Sequence, residues 1–502
     1  MQWGMLKQTV QVTLCSALGI AISFGTQLLL ACFCGATAER DAHFAALTIP
    51  AYIHSLFSGS IGVLLLPHLV QYGNKHTKQQ TQVYASAVLN WCLLVLLVMV
   101  AVLFCSAPSI MQIMLPSFRW QLLDVSTALF RIQLFIMLLG VLTSLLGVIF
   151  HACHSFLLPG IAPLLAGLPA LISVPLLGPV IGIASIAYGA LAGACVSLLF
   201  MVVLVRKQCD FRWQWAFRVR HTGAVFAAAL PLFATGILFR STTLIERFFA
   251  ARMPAGALSY TGSASQIIVI LSTIISGGIA TTSYPLLSRY WSASSQAALA
   301  TTFVRVIQFI TCITFPVIVL FITAGTDIVQ IVFERGAFTA NDTTALYYTL
   351  VALMGNFLFG SIGNVTGRMV YLSRNTWATS VIATAELLVY VVAAMVLTTY
   401  LGYVGLALSL SISSGFCVLV SGWFIRKRIV AFNVRELLRT TGLLCFWSLL
   451  ILAIAFSLHH MFLSQLNSIV RLIIASLVVL GLYWIVLQPV KLHRARFFST
   501  EI

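Results

Sequence analysis

Phe333-Glu334-Arg335-Gly336-Ala337-Phe338-Thr339-Ala340-Asn341-Asp342-Thr343 is a short polar stretch between two long apolar runs. Charged residues are only 8% of this 502-residue chain, so three of them packed between positions 334 and 342 mark a turn that faces water. Glu334 and Arg335 pair as a brace for that turn, and Asn341 or Asp342 caps the helix that follows. The flanking runs, 300-323 and 343-367, each offer about the 20 apolar residues needed to cross the hydrocarbon core. The stretch is therefore a hairpin joining two membrane helices.

Moving outward, the same pattern repeats along the chain. Hydrophobic residues are 60% of the total, with a mean hydropathy of +1.03, which no soluble surface accommodates. About fourteen apolar segments can span a bilayer: 9-33, 43-71, 83-105, 125-150, 157-178, 181-205, 222-250, 261-286, 300-323, 343-367, 376-399, 402-425, 440-461 and 468-490. The first is longer than a signal-peptide core and lacks a small-residue cleavage site, so it is expected to stay as helix one. The fold class is an all-α polytopic membrane protein.

Lys and Arg alternate between the two sides of these segments. With the N-terminus in the cytoplasm, the cytoplasmic loops hold Lys7, Lys75, Lys78, Arg206, Lys207, Arg212, Arg218, Arg220, Arg289, Arg368, Arg374, Arg426, Lys427, Arg428, Arg435, Arg439, Lys491, Arg494 and Arg496. The opposite loops hold only Arg40, Arg119, Arg252, Arg335 and Arg471. That is the positive-inside pattern, and an even helix number returns the C-terminus to the cytoplasm. The net charge of +17 thus reflects topology and attraction to anionic lipids, at roughly 1 kcal/mol per basic residue, rather than nucleic acid. The eleven cysteines form no CxxC pair and read as small packing residues. With no Walker loop, nucleophile elbow, zinc spacing or dinucleotide fingerprint, the chain is neither a single-chain ATP pump nor a recognisable enzyme.

An internal repeat organises the segments. Pro67 is echoed by Pro285, Gly147 by Gly367, and Arg206-Lys207 by Arg426-Lys427, all at an almost constant offset. Each copy holds six helices, so both enter from the same side as parallel repeats. The domains follow: a six-helix lobe at 1-207, a basic linker at 208-220 with Trp213 and Trp215, a second six-helix lobe at 221-428, and two further helices with a tail at 429-502.

Several ordered motifs carry a family resemblance. They are the hairpin above; Gly35-Ala36, Asp41-Ala42-His43-Phe44, Ile49-Pro50 and Phe57-x-Gly59 before Pro67; Pro116-Ser117-Phe118 followed by Leu129-Phe130-Arg131-Ile132; and Leu244-Ile245-Glu246-Arg247-Phe248-Phe249-Ala250 followed by Pro254-Ala255-Gly256-Ala257-Leu258-Ser259-Tyr260. In that order and spacing the chain resembles the MurJ/MviN family of lipid-linked peptidoglycan-precursor flippases, within the multidrug/oligosaccharidyl-lipid/polysaccharide exporter superfamily. The resemblance implies a transporter that breaks no bond. It would carry an undecaprenyl-diphosphate-linked glycan, foremost lipid II, across the inner membrane as a monomer, with the last two helices grooved for the polyprenyl tail. The alternatives are a flippase for another lipid-linked oligosaccharide and, behind it, a cation-coupled drug exporter, which would need twelve helices. A glycan polymerase or ligase would need a long catalytic outer loop, and none is present.

Family members that handle lipid II bring cavity arginines to positions that here read Thr26, His54 and Gln266, none a fixed cation. Arg240, deep in helix seven, is the replacement candidate for the diphosphate, since a guanidinium forks onto phosphate oxygens; the plainer reading is a structural arginine. Arg131, near a helix end, reads as a snorkelling residue. Asp41 is either a helix-terminal carboxylate or part of the headgroup gate. Glu246 and Glu386 are the intramembrane carboxylates that would suit Na⁺ or H⁺ coupling, against an Arg247 salt bridge for the first and a protonated structural role for the second. No other metal and no cofactor is implied.

Overall fold

The computed structural model describes residues 2–116, 118–217, 222–373, 376–459 and 466–487. Ser117, Arg218, Arg220, Arg374, Lys491, Arg494 and Arg496, all at positions read above, lie outside the described residues. The chain divides into two compact units. One comprises 1–259 with Gly336–Phe338, and the other comprises 260–335 with 339–502.

The first unit contains α1 (Gln2–Cys34), α2 (Ala38–Gly73), α3 (Lys78–Cys105), a short α4 (Ala107–Met114), α5 (Trp120–Ala152), α6 (Leu157–Ile181), α7 (Ala184–Gln208) and α8 (Thr222–Ala250). Then come α9 (Ala257–Ser272), whose first turn still belongs to the first unit, a π-turn at Thr273–Gly277, and α10 (Gly278–Ser292), with α11 (Gln296–Phe333), α12 (Ala340–Leu372), α13 (Thr376–Arg428), α14 (Val434–Leu458) and α15 (Ser468–Leu487) completing the second unit. No described residue forms a strand.

Twelve of the described helical stretches are long and apolar enough to cross a membrane. α8, at 29 residues, adds another. α13 runs for 53 residues but breaks at Gly402, where φ 57° and ψ −135° halt a right-handed helix, so it provides two crossings. Fourteen crossings result. The same break occurs between α6 and α7 at Gly182, the equivalent position of the first repeat, with φ 58° and ψ −137°. α5 and α12 correspond at both ends through the same offset. The repeat read from prolines and basic residues is thus a repeat of elements. Packing draws its boundary elsewhere: α8, first helix of the second repeat, is in the first compact unit.

Without water to reward apolar contact, membrane helices associate by close backbone approach and interhelical polar bonds. α6 and α7 illustrate this. A β-carbon on Gly193 would collide with the Ala166 carbonyl and one on Gly189 with Ser173, while Ser197 Oγ donates to Ala162 O at 2.9 Å. Gly193→Val is expected to cost about 3 kcal/mol through overpacking against rigid backbone. The apparent melting temperature of the purified protein reports it, and an unchanged value would remove this account of the α6–α7 seam.

The basic linker is tethered. Asn90, 1% exposed on α3, donates to Gln214 O at 2.8 Å and Ala216 O at 2.9 Å and accepts from Trp213 Nε1 at 2.6 Å. Trp91 Nε1 donates to Phe217 O at 2.9 Å, and Lys78 pairs with Asp210 at 3.0 Å. That ammonium holds the Asp210 carboxyl below the usual carboxylate range. Sequence reading gave a spacer; the structure gives a strap along α3.

The opening hairpin is built differently from its sequence reading. Thr339 is the N-cap of α12, and Asp342 is its capping-box partner rather than the cap itself. Asp342 also accepts from Tyr260 Oη at 2.6 Å. Glu334 accepts from Thr343 Oγ1 at 2.7 Å, whereas Arg335 donates to Ile331 O at 3.0 Å, so these two residues brace the turn separately and not as an ion pair. Ala337 N donates to Cys32 O at 2.8 Å at the end of α1. Gly336 (φ 63°) and Gly35 (φ 62°) allow this contact, because a β-carbon on either would strike the opposing carbonyl.

Candidate functional site

Close approach of α2 and α8 sets one face of the first unit. Tyr52 on α2 reaches Ile237 O at 3.3 Å and Ser241 Oγ at 3.5 Å on α8. Further along α2, Gly59 has no side chain, and the Arg240 guanidinium occupies that space: Nη2 lies 2.6 Å from where a β-carbon would stand. Arg240 is exposed and makes no hydrogen bond or ion pair to another described residue. Its charge bears on His54, half-buried on the same stretch of α2, whose Nε2 lies 3.5 Å from Ser58 Oγ and against the bare Cα of Gly140 on α5. A guanidinium without a protein anion, beside an imidazole and several hydroxyls, can receive phosphate oxygens in a charge-assisted fork.

The other sequence candidates take different places. Thr26, 6% exposed on α1, donates its hydroxyl to Ile22 O of its own helix at 2.8 Å, so its one donor is already used. Gln266 is half-buried on α9 in the second unit.

Asp41, 2% exposed, caps a helix other than its own. Its carboxylate accepts from Gly256 N at 2.6 Å, Ser259 N at 2.8 Å and Ser259 Oγ at 2.6 Å, closing the N-terminus of α9. The anion satisfies donors that the first helical turn leaves open and meets the positive end of the dipole. Of its two readings in the sequence, these contacts carry the helix-terminal carboxylate, with the helix being α9 rather than its own α2. Asp41→Ala is expected to destabilise the fold by about 3 kcal/mol, as buried charge-assisted donors lose their partner, and Asp41→Asn by less. Thermal unfolding in detergent checks this; an unshifted Asp41→Ala would overturn the cap.

Of the two carboxylates, Glu246 is 7% exposed on α8 in the first unit. Its neighbour Arg247 is taken up by α2, donating to Phe44 O at 3.0 Å and lying 5.6 Å from the Phe44 ring centroid. Glu386, half-buried on α13 in the second unit, is hydrogen-bonded to the Cys417 thiol. Among the described residues no group of three or more His, Cys, Asp and Glu could hold a metal ion. Arg131, read from the sequence as a snorkelling residue, lies over the Phe104 ring at 4.7 Å with its Nε buried.

One buried polar cluster escaped the sequence reading. Asp327, 1% exposed on α11, accepts from Arg471 on α15 at 2.8 Å and faces His459, just past α14, at 3.5 Å. Ser468 Oγ donates to Gln330 one turn further on at 2.6 Å. Below them Val319, Ile451, Ala455, Val479 and Tyr483 form an apolar core of the same three helices. The hydropathy drop at Ala324-Gly325-Thr326 suggested a helix end at 323, but α11 only bends at Ala324 (φ −115°, ψ 16°) and continues to Phe333. A single Asp in an otherwise uncharged run, with Arg471 and His459 as later odd charges, was the available signal.

Comparison with known proteins gives one direction. The family model described as lipid II flippase MurJ matches residues 30–478. A probable lipid II flippase MurJ of Bdellovibrio bacteriovorus is 25% identical over 386 residues, covering 74% of this chain and 73% of that one. Its counterpart in Buchnera aphidicola subsp. Acyrthosiphon pisum is 21% identical over 509 residues, covering 98% and 99%. Among solved structures, a lipid II flippase MurJ in an inward closed conformation aligns with a TM-score of 0.84 at 19% identity, covering 97% of this chain and 100% of that one. An inward-facing multidrug transporter of the MATE family aligns at 0.69 and 15% identity, covering 82% and 94%.

Proposed function

The chain belongs to the lipid II flippase MurJ family, and we propose that it carries lipid II from the cytoplasmic to the periplasmic leaflet of the bacterial inner membrane. It works as a monomer with both termini in the cytoplasm, by alternating access, and transfers a lipid without making or breaking a bond. The observation that supports a diphosphate-bearing substrate most is Arg240: an exposed guanidinium without a described protein partner, beside His54 and seated over Gly59. It supplies the fixed cation missing at Thr26, His54 and Gln266. Fourteen crossings, rather than the twelve of a drug exporter, favour the same reading.

In this reading the headgroup phosphates meet Arg240, with His54 beside it. Coupling to Na⁺ or H⁺ is assigned to Glu246 and Glu386, whose replacement by Gln should remove ion dependence in a reconstituted assay; full ion dependence in both variants would withdraw that assignment. The direction of transport follows from differential affinity of substrate and ion for the two open forms.

The absent arginines favour one second reading, a different glycan on the same undecaprenyl-diphosphate carrier. Complementation separates the two. In a bacterium depleted of its resident lipid II flippase, expression of this chain should restore growth. Well-expressed protein that fails to rescue would move the substrate to another glycan lipid.

A further inference from the structure

A cavity of about 530 Å³ lies wholly inside the first unit, walled by one stripe each of α2, α5, α6 and α7. Its wall on α5 runs from Gln133 to His151. Those residues are separated by about 27 Å at 1.5 Å per residue, close to the thickness of the hydrocarbon core. An extended hydrocarbon chain can lie along a cavity of that length. The slot exists because its walls carry small residues where helices usually interlock, Gly140, Gly147, Ala166 and Ala194 among them.

Its polar groups divide into two kinds. Thr143, Ser144 and Ser197 spend their hydroxyls on the backbone carbonyls of Leu139, Gly140 and Ala162, which leaves the middle of the slot apolar in effect. Gln133, by contrast, is 3% exposed, borders the cavity, and makes no hydrogen bond to any described residue. Its amide opens onto the cavity rather than being sealed in protein, so a hydrogen-bonding group within the cavity can pair with it. His54 is on the wall at the same end, and at the other end His151 Nδ1 is buried without a hydrogen-bond partner among the described residues. Among the described residues no Lys, Arg, Asp or Glu lines the cavity.

We propose that this slot binds a single extended hydrocarbon chain with a neutral hydrogen-bonding head, the head meeting the Gln133 amide beside His54. An anionic head would find no fixed cation in the lining, and a bare alkane would leave Gln133 unsatisfied. Pockets that take small amphiphiles share this make-up, an apolar wall with a few placed polar groups. The site shares His54 with the diphosphate face at Arg240, but its other walls are on α5, α6 and α7, and it does not depend on the transport reading. Two sources fit the chemistry: monoacyl lipid of the bilayer, and a polyprenyl alcohol.

The test is photolabelling of the full-length protein in nanodiscs with hexadecanol carrying a mid-chain diazirine, mapped by mass spectrometry. Adducts should concentrate on α5 between Gln133 and His151 and exceed those on the α3 surface. Gly147→Leu should lower them about tenfold, because a β-carbon there meets only ordinary contacts with Pro159 and Met201 and the added bulk fills the slot. Ala194→Met serves as a gentler filler should Gly147→Leu fold poorly. Gln133→Leu should weaken labelling by the alcohol about fivefold, one net hydrogen bond, and leave labelling by a diazirine alkane of equal length unchanged. Excess monoacylglycerol that removes the label assigns the chain to bilayer lipid, and excess polyprenol that removes it assigns the prenyl class. Labelling no denser in the slot than on α3, indifferent to both fillers, or displaced by neither competitor would overturn the site.

Discussion

Arg240→Ala will abolish lipid-linked substrate transport while leaving expression and thermal stability unchanged. The guanidinium makes no hydrogen bond or ion pair to a described residue, so its removal uncovers no buried protein partner. On the proposed role it loses the charge-assisted fork to phosphate, about 3 kcal/mol for two such bonds, or on the order of a hundredfold in affinity. Arg240→Lys should keep part of the activity, because an ammonium preserves the charge but not the paired geometry. Gly59→Leu should behave like Arg240→Ala for a different reason, since its side chain would take the space in which Nη2 stands. Arg131→Ala is the control: an arginine stacked on Phe104 should change stability modestly and transport little. Equal activity of Arg240→Ala and the wild type, measured as substrate flipped per protein, would remove Arg240 from the headgroup site.

Asp327→Ala is expected to be the most destabilising single change in the second unit. It leaves the Arg471 cation partly buried without its anion and takes away one partner of His459, a loss of about 3–5 kcal/mol for a broken buried pair. The apolar core beneath, from Val319 to Tyr483, should not suffice to hold α14 and α15 against α11 unaided. The double replacement Asp327→Leu with Arg471→Met should recover more than half of the loss, because an apolar pair of similar volume avoids desolvating two charges. Thermal unfolding of the two single variants and the double variant forms the cycle. Additive losses would show that the two groups do not interact energetically, and the cluster would then be incidental to holding the helices.

The legible part of the fold was whatever depended on bulk hydropathy and period. Segment number, the basic alternation and the internal repeat all follow from composition over windows of about 20 residues, where many residues vote together. Gly182 and Gly402 show the limit. Their positive φ values mark equivalent breaks in both units, yet a glycine in an apolar run gives no sign of its dihedral. Helix ends were misplaced where polarity and backbone disagree, as at Ala324, and that error hid Asp327. Site residues were legible by type alone. Arg240 and His54 could be nominated because intramembrane polar groups are costly. That Thr26 turns back on its own helix depends on a rotamer, and that Asp41 caps α9 depends on partners far along the chain; neither is written in local sequence. The unbonded Gln133 was overlooked because one amide in a helix looks like any other until the space beside it is seen.

Reconstitution with fluorescent lipid II tests the transport claim most directly. Purified protein is placed in liposomes carrying the labelled lipid, and the fraction accessible to an impermeant quencher or glycan-modifying enzyme is followed over time. The expected result is a protein-dependent rise in the rate at which the inner-leaflet pool becomes accessible, lost in Arg240→Ala and retained in Arg131→Ala. A rate equal to that of empty liposomes for well-folded wild-type protein, across imposed ion gradients, would contradict lipid II as the cargo of this chain.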